Sequence, residues 1–156
     1  MSHLALMPVL IPLVAGAMLL FASGLGTRVE RTIGLVATAA LLPVALLLLE
    51  RAAGGAVLIY YLGDWPAPYG ITLVVDRLSA LMLTLAAILA FASQLYSIAG
   101  DDRRGRHFHA LFQMQLLGIN GAFLTGDLFN LFVFFEVLLI ASYALQLHGG
   151  GAARGR

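Results

Sequence analysis

Five stretches of about 20 mostly apolar residues follow one another in this chain, and no other feature of the sequence constrains its fold as strongly. An α-helix needs about 20 such residues to cross the hydrocarbon core of a bilayer. The chain is 61% hydrophobic and 11% charged, whereas soluble domains are about 45–50% apolar and about 25% charged. The sequence therefore predicts an all-α polytopic membrane protein with five transmembrane helices. We expect these helices at about residues 4–23, 32–49, 73–98, 108–125 and 128–147.

The longest segment between the predicted helices covers residues 50–72 and reads differently from them. Two β-prone runs lie on either side of a turn rich in proline and glycine. This pattern predicts a short β-hairpin between helices two and three, which we expect on the extracytoplasmic side. No linker divides the chain, so we treat residues 1–156 as a single transmembrane domain.

The arginines predict an orientation in the membrane. Seven of the nine lie in the loop after helix one, the loop after helix three and the segment after helix five, and only Arg51 and Arg77 lie on the opposite side. Loops rich in arginine and lysine remain in the cytoplasm. The N-terminus is therefore expected outside and the C-terminus in the cytoplasm, which an odd number of helices also requires.

Glu136 is an acidic residue inside one of the apolar stretches. It lies eight residues after Leu128, where helix five is expected to begin, and is thus about 12 Å deep in a core of about 30 Å. A charged group at that depth costs roughly 2.5–3.5 kcal/mol on insertion scales, and such acids often serve as proton relays. We interpret Glu136 as a proton carrier. The alternative is a protonated glutamic acid that only donates a hydrogen bond to a neighbouring helix.

Other polar side chains in the apolar stretches form a candidate proton path. Tyr143 follows Glu136 by seven residues and lies on nearly the same helical face. Gln113 and Asn120 lie on helix four. The same side chains are equally suited to ordinary hydrogen bonds between helices, so both interpretations stay open.

His107 and His109 raise the question of a metal site at the start of helix four. Two residues apart on a helix, they do not face the same way, so we expect an interfacial role or a role in proton uptake and no metal site. The chain has no cysteine, which excludes disulfides and cysteine-ligated metals. We find no phosphate-binding loop, no nucleophile triad and no basic face for nucleic acid, and we predict no cofactor.

The connection between helices four and five, TGDLFN, is too short for anything except a tight turn. Helices four and five are therefore expected to form an antiparallel hairpin. Asp127 is placed to cap helix five by accepting hydrogen bonds from its first backbone N–H groups. Gly118 and Gly121 give helix four a patch of small residues for close packing.

Two segments resemble a known family. The segment NGAFLTGDLFNLFVFFEVLLIASYAL, residues 120–145, resembles helices four and five of the D subunit of Mrp-type multisubunit sodium/proton antiporters. The segment VDRLSALMLTLAAIL, residues 75–89, resembles the start of helix three in the same proteins. These antiporters share a superfamily with the antiporter-like membrane subunits of respiratory complex I. The resemblance covers nearly the whole chain.

The resemblance implies a role for Glu136 as half of a glutamate–lysine pair that drives proton translocation. The lysine lies in a later helix of the family, and this chain contains no lysine. Family members are several times longer, so the chain corresponds to the N-terminal portion of such a subunit. The implied protein is a secondary transporter subunit of the bacterial plasma membrane. It would assemble with other antiporter subunits in the lipid bilayer, where it would move protons and Na⁺.

Two alternatives stay open at this point. One is a proton-pumping membrane subunit of complex I or of a membrane hydrogenase, which would make the chain part of an oxidoreductase. The other is a membrane scaffold or a truncated product that transports nothing. The choice between Na⁺ and K⁺ is not encoded in this part of the chain.

Overall fold

Five α-helices and a two-stranded sheet make up the part of the chain that the computed structural model describes, which is residues 3–22, 24, 26–65, 69–105 and 107–148. The expected helical membrane protein with a small hairpin between the second and third helices is confirmed. In chain order the elements are α1 (Met7–Phe21), α2 (Thr27–Ala53), β1 (Leu58–Tyr61), β2 (Thr72–Val75), α3 (Arg77–Ser97), α4 (Phe108–Leu124) and α5 (Leu128–Gln146). Short 3₁₀ turns occur at His3–Leu6, Leu62–Asp64 and Asp101–Arg103.

The start of α3 differs from the expected one for a local reason. Leu73, which we expected in the helix, belongs to β2, and α3 begins only at Arg77. Asp76 caps the helix, because its carboxylate accepts a hydrogen bond from the backbone N–H of Ser79 at 2.7 Å. In return, the Ser79 hydroxyl accepts one from the backbone N–H of Asp76 at 2.8 Å. This reciprocal pair satisfies two N–H groups at the helix start and ends the strand before it.

Within the described residues, four helical segments are long and apolar enough to cross a membrane. They are His3–Phe21, Thr27–Ala53, Arg77–Ser97 and Leu128–Gln146. The remaining helix, α4, has 17 residues and is about 25 Å long at 1.5 Å per residue, the lower limit for a spanning helix. The chain is a multi-pass membrane protein.

Helix α4 lies at the centre of the bundle and contacts each of the other four helices. Its glycines allow the closest approach, which is to α5. A Cβ atom at Gly118 would lie 2.8 Å from the backbone nitrogen of Leu138, and one at Gly121 would overlap the ring of Phe134. Because no larger residue fits at Gly118 without moving the α5 backbone, the small-residue patch sets the spacing of the α4–α5 hairpin.

Helices α2 and α3 also pack through small side chains. Alanines repeat along the buried face of each helix and let the two backbones approach each other, as is common between membrane helices. The buried alanines are Ala37, Ala45 and Ala52 on α2, and Ala80, Ala87 and Ala90 on α3.

The hairpin is attached to the rest of the bundle at two places. Strands β1 and β2 pair antiparallel, with Leu58 opposite Val75. Strand β2 also extends its pairing to the α4–α5 turn, where the N–H of Gly126 donates to the carbonyl of Thr72 at 2.8 Å. On the other strand, Tyr60 is only 9% exposed and its hydroxyl lies 2.8 Å from Nδ1 of His3. Tyr60 therefore packs inward and does not anchor the hairpin in the lipid headgroups.

Candidate proton-binding site

Glu136 lies on an exposed face of α5. The opposite face of this helix packs on α4 through Phe134 and Leu138, and Ala141 is the one buried residue of the helix. At 100° per residue, Glu136 is roughly 150° away from these three residues around the helix axis. The carboxyl group therefore points away from the bundle that the described residues form.

Tyr143 shares the face of Glu136, because seven residues are almost two helical turns. It is 61% exposed. The surrounding exposed side chains are large and apolar, and they include Phe132, Val133, Leu139 and Ile140. An ionisable group in the middle of such a surface is costly against lipid, since water is absent there. This face of α5, which we call the Glu136 face, is therefore suited to contact with protein or with a hydrated cavity.

Asn120 and Gln113 are buried on a different side of α4. Asn120 donates from Nδ2 to the carbonyl of Pro8 in α1 at 2.8 Å. Pro12, four residues later in α1, has no N–H with which to bond that carbonyl, so Asn120 supplies the missing donor. Gln113 donates from Nε2 to the hydroxyl of Thr38 at 2.9 Å. The structure thus brings these two residues against α1 and α2 and not beside Glu136.

His109 is almost fully buried at 2% exposure and joins a group of polar residues near the start of α4. Its Nε2 lies 3.3 Å from Oδ2 of Asp102, in the 3₁₀ turn before the helix. The same carboxylate accepts two hydrogen bonds from Arg31 of α2, from Nε at 2.5 Å and from Nη2 at 2.8 Å. These bonds from the guanidinium lower the pKa of Asp102 and keep it ionised.

The polar group continues from His109 into the bundle as a chain of hydrogen bonds. Nε2 of Gln94, on α3, lies 3.2 Å from Nδ1 of His109. The Thr38 hydroxyl donates to Oε1 of Gln94, and Gln113 donates to Thr38. Gln94, Thr38 and Gln113 are all fully buried. We call these residues, with His109, Asp102 and Arg31, the buried polar chain.

His107 does not join the buried polar chain among the described residues. It precedes α4 in a left-handed conformation with φ of 65°. Its Nδ1 is buried without a hydrogen-bond partner in the part of the chain that the structure describes. The two histidines therefore differ in environment; His107 lies before the helix, so the expected helical spacing does not apply to the pair.

Asp127 occupies the N-cap of α5. Its carboxylate accepts a hydrogen bond from the backbone N–H of Asn130 at 2.8 Å and another from the Asn130 side chain. The backbone bond is the main reason why the pKa of Asp127 is lowered. Across the described residues, no group of three or more histidine, aspartate, glutamate or cysteine side chains is arranged to hold a metal ion.

Sequence reasoning missed Arg31, Asp102 and Thr38. Arg31 and Asp102 are charged residues in segments that we expected to be solvated loops, and they are 71 positions apart. Thr38 stands in an apolar helix where a single hydroxyl attracts no notice. One signal was present, because Thr38 follows Gly34 by one helical turn and a glycine leaves room for a neighbouring polar side chain.

No protein-family profile matches the chain, but individual proteins are similar to it over almost its whole length. The D subunit of a probable K(+)/H(+) antiporter of Rhizobium meliloti is 48% identical over 159 residues, covering 99% of this chain and 30% of the relative. The D subunit of the Na(+)/H(+) antiporter of Alkalihalophilus pseudofirmus is 42% identical over 156 residues, covering 96% and 31%. The chain resembles the D subunits of these antiporters. The resemblance expected from its sequence segments is confirmed.

The similarity to antiporter D subunits extends to the fold and to a related group of proteins. In the structure of the Mrp complex from Dietzia sp. DQ12-45-1b, one chain matches with a TM-score of 0.84 and 33% identity, over 93% of this chain and 27% of that chain. The N subunit of the NADH-quinone oxidoreductase of Desulforudis audaxviator is 36% identical over 156 residues, covering 96% and 31%. The chain spans about 30% of the length of these curated relatives, which is consistent with an N-terminal part of a D subunit.

Proposed function

We propose that this chain is part of a subunit of a multisubunit cation/proton antiporter, in which Glu136 carries protons in exchange for Na⁺ or K⁺. The observation that carries the proposal is the position of Glu136, a carboxylic acid near the middle of α5 on a face directed away from the bundle. The similarity to proteins named as the D subunits of antiporters supports it. Tyr143, on the same face, is the nearest candidate for a second station of the path.

The Glu136 face needs a covering that tolerates a charge. An isolated carboxylate in the membrane costs roughly 2.5–3.5 kcal/mol on insertion scales, and a nearby cation or water offsets this cost. We therefore propose that protein outside this chain covers the face and provides the lysine that the family resemblance implies. A carboxylate that is desolvated and also paired with a cation can bind and release a proton during transport.

The proposed exchange ion is either Na⁺ or K⁺. The two antiporter relatives described above carry names with different cations. None of the described residues forms a cluster of acids or histidines that would hold a metal ion. We place the cation pathway in other subunits of the complex, which are the proposed partners of this chain.

The test is replacement of Glu136 in the assembled complex, in everted membrane vesicles that contain a pH-sensitive dye. Glu136→Gln keeps the shape of the side chain and removes its titration, so we expect cation-dependent proton exchange to fall about a hundredfold or more, the usual range for loss of acid–base function. Glu136→Asp is the matched control, because it keeps a carboxylate and should retain part of the activity. Parent-level exchange by the glutamine variant, at equal protein abundance, would show that the role of Glu136 is misassigned.

A second candidate function is a proton-pumping subunit of a quinone-linked oxidoreductase. The observation in its favour is the 36% identity to the N subunit of an NADH-quinone oxidoreductase. The same vesicles distinguish the two functions. Proton movement driven by added Na⁺ or K⁺ supports the antiporter, whereas movement that requires NADH and a quinone supports the oxidoreductase. A complex that responds to neither would favour the non-transporting scaffold.

We also propose a location and an orientation. The chain would lie in the bacterial plasma membrane, with the start of α1 outside and the end of α5 in the cytoplasm. The argument is the positive-inside rule, because Arg28, Arg31, Arg103 and Arg104 belong to one end of the bundle. The β-hairpin would then face the outside, and the buried polar chain would begin at the cytoplasmic end.

A further inference from the structure

The buried polar chain is a second ionisable system in this protein, and it is separate from Glu136. Its members lie between α2, α3 and α4, whereas Glu136 lies on the far side of α5. Asp102, His109, Gln94, Thr38 and Gln113 are each at most 6% exposed. Because buried polar groups depend on one another for hydrogen bonds, a change of protonation at one member changes what its neighbours can do.

The hydrogen-bond directions assign a protonation state to His109. Gln94 turns its Nε2, a donor, toward Nδ1 of His109, which must therefore be an acceptor. The proton of the neutral ring then lies on Nε2, which donates to the Asp102 carboxylate. The oxygen of Gln94 accepts from the Thr38 hydroxyl. Every bond in this part of the chain has one donor and one acceptor when His109 is neutral.

A proton added at Nδ1 of His109 breaks this arrangement. The new N–H would face the NH₂ group of Gln94, so two donors would meet. The conflict is removed if the Gln94 amide turns over, which directs its oxygen at His109 and its NH₂ at Thr38. Thr38 must then stop donating to Gln94. Its hydroxyl can rotate to the carbonyl of Gly34, one turn earlier in α2, as threonine commonly does in helices. There it replaces the 3.2 Å bond from Nε2 of Gln113, which keeps its bond to Thr38.

We propose that His109 is a second proton-binding site, separate from Glu136, and that its protonation turns over the Gln94 amide and the Thr38 hydroxyl. The ring takes up one proton at Nδ1, where one N–H bond forms; no other covalent bond changes, and only the hydrogen bonds of Gln94 and Thr38 rearrange. The change reaches from the start of α4 to Thr38. Thr38 lies 11 residues into α2, about 16 Å from the start of that helix along its axis. Protonation of His109 thereby changes the hydrogen bonds of residues in the interior of the bundle.

Charged side chains of both signs surround His109. Asp102, in the 3₁₀ turn, attracts the proton, and Glu30 of α2 does so from a greater distance. Arg31, also on α2, opposes it. Helix α3 contributes the uncharged Gln94. Burial of the ring is the largest effect and opposes the charged form, so the Asp102 carboxylate is what favours a proton on this ring.

Gly34 provides the space in which the Gln94 amide sits. A Cβ atom at this position would overlap Nε2 of Gln94 and would lie 3.2 Å from Nδ1 of His109. The backbone there is ordinary helix, in which alanine is favoured over glycine by about 1 kcal/mol. Steric fit therefore explains the glycine at this point of α2, because it leaves open the volume that the Gln94 amide occupies and in which it turns.

The direct test follows the nitrogen resonances of His109 and Gln94 by NMR. The protein is placed in lipid nanodiscs, with any co-purifying subunits retained, and titrated from about pH 8 to about pH 4. We expect the His109 ring and the Gln94 side-chain amide to shift with one common midpoint. His109→Gln should abolish the Gln94 transition, and His107→Gln, the matched control, should leave both unchanged. A Gln94 signal that stays constant while His109 titrates would overturn the proposal, as would a His109 ring that stays neutral throughout.

A second pair of variants tests the proposal without replacing the histidine itself. Gly34→Ala fills the space of the amide and displaces it from His109. The Gln94 oxygen is then not available to accept the new N–H, and the charged ring loses more than the neutral ring, because hydrogen bonds to charged groups are stronger. We expect the His109 midpoint to fall by about one pH unit, the effect of losing a hydrogen bond to a charged group. Gly54→Ala, at the residue that follows the same helix, is the control, because nothing lies within 4 Å of its added Cβ. An unchanged midpoint in Gly34→Ala would contradict the proposal.

The proposal goes beyond antiport and does not depend on it. Loss of exchange in the Glu136→Gln variant with a normal His109 titration would support both assignments. Normal exchange in that variant would remove the role of Glu136 and leave the His109 site intact. Conversely, a failed His109 titration would leave the proposed function of Glu136 untouched.

Discussion

At the residue scale, the Arg31–Asp102 pair has the largest structural consequence. It joins the start of α2 to the turn between α3 and α4, and Nη2 of Arg31 also donates to the carbonyl of Ile98 at 3.1 Å. The Asp102 side chain is 1% exposed, so its charge depends on these partners. Removal of one partner from such a pair costs more than the pair itself contributes, because the other charge is left buried.

We predict that Asp102→Asn lowers the thermal stability at pH 7 by several degrees in melting temperature. The folded pKa of Asp102 is lowered, so the stabilisation is fully present above its unfolded pKa of about 3.9. It is lost as the pH falls through the lower folded pKa, and the difference between parent and variant should shrink there. Melting curves in detergent at a series of pH values measure this.

Asp101→Asn is the control for that prediction. The partner of Asp101 is Arg104, at 3.1 Å, and both side chains are largely exposed. Exposed ion pairs contribute little to stability, so this variant should melt with the parent. Equal losses in the two variants would mean that the buried pair has no special role.

At the element scale, the α4–α5 hairpin depends on two glycines with different tolerances. A Cβ at Gly118 would meet the backbone of Leu138, which cannot move without shifting α5. A Cβ at Gly121 would meet the ring of Phe134, which is a side chain and can turn aside. The two positions look alike in sequence, but the atoms opposite them differ.

We therefore predict that Gly118→Ala destabilises the protein by about 1–3 kcal/mol, the usual cost of overpacking, and that Gly121→Ala costs less. Reversible unfolding in mixed micelles measures the two free energies. Gly54→Ala, just after the end of α2, serves as the control for a change from glycine to alanine without a steric conflict, since its Cβ meets nothing within 4 Å. A larger loss for Gly121→Ala than for Gly118→Ala would refute this account of the crossing.

Local features of the fold and site were predictable from the sequence, and long-range ones were not. Helical periodicity alone put Tyr143 on the face of Glu136, and Asp127 was identified as a cap from the residues next to it. Which helix would cover Gln113 or Asn120 was not predictable, because periodicity defines a face but not its neighbour. The bonds of Gln113 reach 75 to 79 positions back along the chain, to Thr38 and Gly34.

At the scale of the whole molecule, the two ends of the bundle have different chemistry. One end contains the β-hairpin and the α4–α5 turn, and the other contains the arginine-rich segments and the start of the buried polar chain. The proposed proton carrier and the proposed His109 site are on opposite sides of the α4–α5 hairpin. Within the described residues, the packing of these helices lies between the two sites.

The chain contains no cysteine, which makes the two ends easy to assign experimentally. We predict that single substitutions Tyr69→Cys and Arg104→Cys react with a membrane-impermeant maleimide from opposite sides. Tyr69 is 84% exposed next to the hairpin, and the Arg104 side chain is 70% exposed between α3 and α4. Intact cells should label only the first and everted vesicles only the second. The reverse pattern would invert the proposed orientation.

The hydrogen bond between Gly126 and Thr72 also determines how often the chain crosses the membrane. Strand β2 comes immediately before α3 and the α4–α5 turn comes immediately after α4, yet the two are in direct contact. Two points on one side of a bilayer can be separated only by an even number of crossings. Because α3 crosses, α4 must return, although its 17 residues make it the shortest candidate apart from α1 alone. The contact of His3 with Tyr60 requires an even number of crossings between those two residues, and the contact of Arg31 with Asp102 does the same for α2 and α3. The path of the chain up to the α4–α5 turn therefore follows from contacts, without any hydropathy threshold.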